Sequence, residues 1–95
     1  MYILTVKFAT TLSEEEVLAT AHERADQFRA LPGLVQKYYV KLAEPDHYGG
    51  VYIWDSLESM QSYRESELAA TIASAYKVVG KPQIEVLESV LQLRE

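Results

Sequence analysis

The stretch "HYGGVYIWDS", residues 47 to 56, sets a histidine, two tyrosines and the chain's single tryptophan within ten positions. Just upstream, "LVQKYYVKL" (34–42) carries Lys37 and Tyr39. A lysine among aromatic rings is a candidate general base, because removal from water disfavours its charged form and lowers its pKa. The same side chain could equally be a plain cation, paired with an acid or stacked on a Tyr or Trp ring. Tyr39, Tyr52 and Trp54 could clamp a flat ligand and hydrogen-bond its oxygens, or they could pack a subunit interface. Tyr63, expected to face the sheet from a helix, is either a further pocket residue or part of the core. His47, beside Asp46 in a connecting loop, is a second candidate base whose alternative is a solvated side chain.

Other chemistries are missing from the inventory. The chain has no cysteine, which removes disulfides, thiolate metal sites and a cysteine nucleophile. His22 and His47 stand in unrelated places, so no metal-ligand spacing is present and no metal is expected. Gly49–Gly50 precedes an expected strand, not a helix, and so does not read as a phosphate cradle. No cofactor is expected.

Elements able to position these residues follow from patterning. "MYILTVKF" (1–8) reads as a strand. Ser13 and Glu16 form a capping box for a helix whose apolar stripe is Val17, Ala21, Ala25 and Phe28, stopped at Pro32 and Gly33. Residues 34–42 form a second strand, and a third runs from about Gly50 to Asp55. Ser56 starts a helical segment that reaches roughly Val79, with a break near Ser66–Glu67 and an end at Gly80 and Pro82. "QIEVLESVLQL" (83–93) is the expected last strand. The order β-α-β-β-α-β predicts an α+β, ferredoxin-like domain over residues 1–95, with a four-stranded antiparallel sheet and both helices on one face.

The two helices leave one face of such a sheet bare. Aliphatic Val51 and Ile53 are expected beneath the helices, which puts Tyr52, Trp54, Lys37 and Tyr39 on the open side. A second copy of the same sheet would cover that side, giving a homodimer with aromatic-lined space inside. Seven tyrosines against two phenylalanines agree with a cavity or an interface, where one end of the ring stays wet.

The segments "PGLVQKYY" (32–39) and "GGVYIWDSLESMQSYRE" (49–65) resemble the YdhR-type mono-oxygenase family of the dimeric α+β barrel superfamily, alongside the antibiotic-biosynthesis mono-oxygenases. Four residues beyond Tyr63, where such proteins commonly carry a His, this chain has Glu67. The resemblance implies a dimeric α+β barrel and a cofactor-independent oxygenase acting on a small aromatic or quinone-like compound. A non-oxidative isomerase, cyclase or decarboxylase in the same cavity, and a ligand-binding or purely structural dimer, are the rival readings.

Fourteen acidic and nine basic residues give a net charge of −5, and no basic run occurs. Nucleic acid and anionic membranes are therefore not expected partners. With strand-like sequence from Tyr2 and no long apolar run, neither a signal peptide nor a membrane span is expected, and the default location is the cytoplasm.

Overall fold

Alternating small polar and bulky apolar residues make "YILTVKFAT" strand β1 (Tyr2–Thr10), which buries Leu4, Val6, Phe8 and Thr10 on one face. The computed structural model describes residues 1–94. Helix α1 (Glu14–Arg29) begins at the expected capping box: the Ser13 hydroxyl accepts from Glu16 N–H, and the Glu16 carboxylate accepts from Ser13 N–H. Its buried stripe is Val17, Ala21 and Phe28. Strands β2 (Leu34–Lys41) and β3 (His47–Trp54) follow as an antiparallel pair. The last strand, β4, covers Val78–Glu88.

The sheet order is β2-β3-β1-β4 with every neighbouring pair antiparallel. Together with helices between β1 and β2 and between β3 and β4, this is the ferredoxin-like α+β arrangement the patterning implies. No described helix is long and apolar enough to cross a membrane.

Several boundaries differ from expectation. β3 starts at His47, so Gly49 and Gly50 lie inside the strand and not ahead of it. The second helical region breaks at Ser66 as expected, but the remainder is two single turns. The region is thus α2 (Leu57–Arg64) followed by the single turns α3 (Glu67–Ala70) and α4 (Ile72–Ala75). Ser66 caps α3 by accepting from Ala69 N–H, so a capping serine ends one helix axis and begins another.

β4 both starts and ends five residues earlier than the sequence pattern suggests. As a central strand, β1 has a second edge to satisfy, and it recruits the segment from Val78 onward. Gly80, Lys81 and Pro82 bulge out opposite a single β1 residue, between the pairs Ala9↔Val79 and Lys7↔Gln83. Gly80 takes φ 71° there, and Pro82 sits on the outermost strand, where a missing N–H is tolerated.

The face assignment is reversed. Trp54 is 0% exposed and Tyr52 2%, and both lie beneath the helices, while Val51 and Ile53 are on the open side. The reason is volume. Ala21 and Ala25 leave room along the α1 stripe, and large rings rising from the sheet fill the space between the two layers. Lys37 pairs with Tyr52 and Tyr39 with Gly50, so these two do share the tryptophan's face, but that face is the covered one. A bulge between Leu34 and Gln36 turns Leu34 inward as well, against the core.

Candidate functional site

Between the sheet and α1 lies a cavity of about 210 Å³ that opens near the start of α1. Its floor comes from β1, β2 and β3, and its roof from Val17 of α1, Ile72 of α4 and Tyr76. Glu14 and Lys41 stand at its rim, joined by a 2.7 Å ion pair between exposed side chains. Below that pair the lining is largely apolar and aromatic.

Lys37 enters this space from β2. Its ammonium nitrogen sits 3.3 Å from the centre of the Phe28 ring, 4.4 Å from that of Tyr39 and 4.5 Å from that of Tyr52. Among the described residues no carboxylate reaches it. Burial, with a smaller push from the Arg24 guanidinium, lowers its pKa from 10.5 to about 7. Gly50 makes the arrangement possible. A Cβ there would lie 3.0 Å from the Tyr52 ring and 3.3 Å from the Lys37 Cε, where it would crowd the lysine stem against the ring.

Behind the amine lies a stack of rings. Tyr52 and Trp54 are parallel within 6°, with centroids 6.4 Å apart, because residues two apart on a strand point the same way. Tyr63 of α2 reaches down to this stack and donates a 3.2 Å hydrogen bond to the Tyr52 hydroxyl oxygen. Burial raises the pKa of Tyr52 well beyond the ordinary phenol value, and raises those of Tyr39 and Tyr63 as well. Burial also pushes Tyr76 up to about 12. All of these phenols are therefore neutral donors at physiological pH.

The structure thus brings Lys37, Tyr39 and Tyr52 together around one cavity, with Trp54 a layer deeper. Tyr63 sits against the same stack and lines a neighbouring cavity beside β4. His47 is elsewhere. It opens β3 on the open side of the sheet, paired with Ala9, and its Nδ1 is 2.8 Å from the Pro45 carbonyl. Among the described residues no group of three or more His, Cys, Asp and Glu could hold a metal.

Sequence reasoning missed two residues of the site. Phe28 was readable as a stripe residue, but not as the ring nearest to Lys37. Tyr76 lines the cavity and its hydroxyl is buried without a partner among the described residues. Thr10 holds it in place by donating its hydroxyl hydrogen to the Tyr76 carbonyl. Only the break of the helix into single turns brings Tyr76 over the cavity, and the periodicity of the sequence does not encode that turn.

Residues 3–95 match the family model described as "Putative mono-oxygenase ydhR". Several solved structures share the fold. An antibiotic biosynthesis monooxygenase of Deinococcus radiodurans, named as putative, aligns with a TM-score of 0.75 and 18% identity, over 100% of this chain and 98% of that one. A protein of unknown function from Nitrosomonas europaea gives 0.76 and 20%, over 99% and 93%. SnoaB, a cofactor-independent oxygenase from Streptomyces nogalater, gives 0.76 and 14%, over 99% and 97%. A comparison with curated protein sequences finds no match.

Proposed function

The chain belongs to the YdhR mono-oxygenase family, and from that premise we propose that it oxidises a small phenolic or quinone-forming aromatic in the cavity beside Lys37, without a cofactor. The observation that carries this reading is the lysine itself: an amine with no acid partner among the described residues, held among three rings, with a pKa near the pH at which it would work. As the free amine, Lys37 takes the phenol proton. The phenolate then passes one electron to dioxygen, the aryloxyl radical and superoxide combine at a ring carbon, and the Lys37 ammonium returns its proton to the resulting peroxide oxygen. The hydroperoxide loses the hydrogen on that carbon as its O–O bond breaks, leaving a quinone and water. One phenol and one dioxygen are consumed, all electrons come from the substrate, and no external reductant enters.

Tyr39, Tyr52 and the Tyr76 hydroxyl, which has no partner among the described residues, supply donors for the developing oxyanion in a largely apolar space. At about 210 Å³ the cavity is smaller than most drug-sized sites, which run from roughly 300 Å³ upward, so it suits one or two rings. The cofactor-independent oxygenation named for SnoaB supports the reaction class by likeness of fold.

In the same reading the protein works as a homodimer. Tyr38, at 56% exposure, Leu87, Val51 and Ile53 form an apolar open face on the sheet. A second sheet packed on it would close the barrel. The partner's role is then stability and rigidity, while the reaction space lies within each subunit.

Oxygen uptake with dihydroxynaphthalene at pH 7 to 8 tests the proposal. Uptake that accompanies quinone formation and falls at least a hundredfold in Lys37→Met is expected. Uptake unchanged by that substitution would remove Lys37 as the base.

A further inference from the structure

The Lys37 nitrogen has no hydrogen-bond or ion-pair partner among the described residues, and it faces a cavity whose walls are flat and apolar. The remaining lysines differ. Lys41 is paired with Glu14, Lys77 and Lys81 are exposed, and Lys7 is half-buried on the open side of the sheet. An amine lone pair that is not bound in a salt bridge is a nucleophile as well as a base. We propose that Lys37 condenses with an aromatic aldehyde or ketone held in this cavity, forming an imine.

The step balances without any redox partner. The nitrogen attacks the carbonyl carbon, the C=O π pair moves to oxygen, and that oxygen gains a proton as the nitrogen loses one. The carbinolamine then expels its oxygen as water while the C=N bond forms, so amine plus carbonyl gives imine plus water. The hydroxyl of Tyr76 lines the same space and has no partner among the described residues, so it can deliver the proton that dehydration requires. An aromatic carbonyl fits better than an aliphatic one, because the imine carbon would emerge between the Phe28, Tyr39 and Tyr52 rings.

The groups facing Lys37 from the surrounding elements are Phe28 and Arg24 of α1, Tyr39 of β2 and Tyr52 of β3. Among the described residues Arg24 is the charged one, and it favours the neutral amine. At pH 7 a substantial fraction of Lys37 is then free amine, against roughly one part in 2,500 for an ordinary lysine of pKa about 10.4.

Imine formation shares with the proposed function only the cavity and the neutral amine. To test it, the full chain is incubated at pH 7 with 4-hydroxybenzaldehyde and sodium cyanoborohydride, and the reduced adduct is located by peptide mass mapping. A single fast addition at Lys37 is expected, at an initial rate at least tenfold above that of any other lysine. It should be slowed by 2-naphthol, which has no carbonyl, and be absent from Lys37→Arg. Modification spread over Lys7, Lys41, Lys77 and Lys81 with Lys37 spared would overturn the proposal. If 2-naphthol still raises the melting temperature in that event, the cavity reading survives and only the imine fails. If neither labelling nor a thermal shift occurs, both fail.

Discussion

Replacing Lys37 by Met should stabilise the protein in acid and lose that advantage as the pH rises. The amine is held at a pKa of about 7, against 10.5 for a free lysine. Between these values the unfolded chain keeps a proton that the folded chain has released, so stability climbs with pH across that window. Below pH 7 both states are protonated and the full cost of the buried charge is present. Above about pH 10.5 both are neutral and the cost is gone. The gap of 3.5 pH units, at about 1.4 kcal/mol each, sets a ceiling near 5 kcal/mol. Met has a comparable stem and no charge to desolvate, and the other four lysines are common to both chains and cancel. Urea unfolding at pH 6, 8 and 9.5, at one fixed protein concentration, should show the midpoint of Lys37→Met at least about 1 M higher at pH 6. At pH 9.5 the difference should have mostly vanished. A variant that is less stable than the parent at pH 6, or a gain independent of pH, would refute the description of Lys37 as a destabilised buried amine.

Three further outcomes follow from the packing. Gly49→Ala would place a Cβ 2.2 Å from the Val6 carbonyl oxygen, a backbone atom in the adjacent strand. It should cost about 3 kcal/mol by chemical denaturation, whereas Gly80→Ala, with open space but φ 71°, should cost only about 1 kcal/mol. Tyr63→Phe removes the hydrogen bond to Tyr52 and should lower stability by about 1 kcal/mol, with a tighter demand on any substrate oxygen to supply the missing partner. Val51→Lys on the open face of β3 should convert a dimer into a monomer in sedimentation velocity. A parent chain that is itself monomeric at micromolar concentration would contradict the covering of the open sheet by a second copy.

How much of this was readable from residue order varies along the chain. Ser13 and Glu16 announced the first helix because a capping box is a local device, complete within four residues. The second helix announced its break in the same way, through Ser66. The order of strands and helices followed from such caps together with strand patterning and the Gly and Pro stops. The orientation of β3 did not. A strand with aliphatic residues on one face and aromatic residues on the other satisfies either placement, and the outcome depends on the volume left by the alanines of α1 on a distant segment. The consequence for the candidate site is large: the aromatic-lined space lies beneath the helices and not on the open face of the sheet. β4 misled for a related reason, since Gly80 and Pro82 read as a stop and serve instead as a bulge that the edge of β1 requires. Lys37 and its aromatic neighbours on the sheet could be grouped from strand alternation alone. Phe28 and Tyr76 could not, because they join the group only through tertiary packing.

Base, nucleophile or plain cation: the protonation state of one nitrogen atom decides which of these Lys37 is. An NMR titration that follows the Cε of Lys37 in the folded protein between pH 5 and 11 reads that state directly. A midpoint near 7, displaced when 2-naphthol fills the cavity, is the result predicted. A midpoint near 10.5 that no aromatic ligand moves would mean that Lys37 stays an ordinary cation, available neither as base nor as nucleophile.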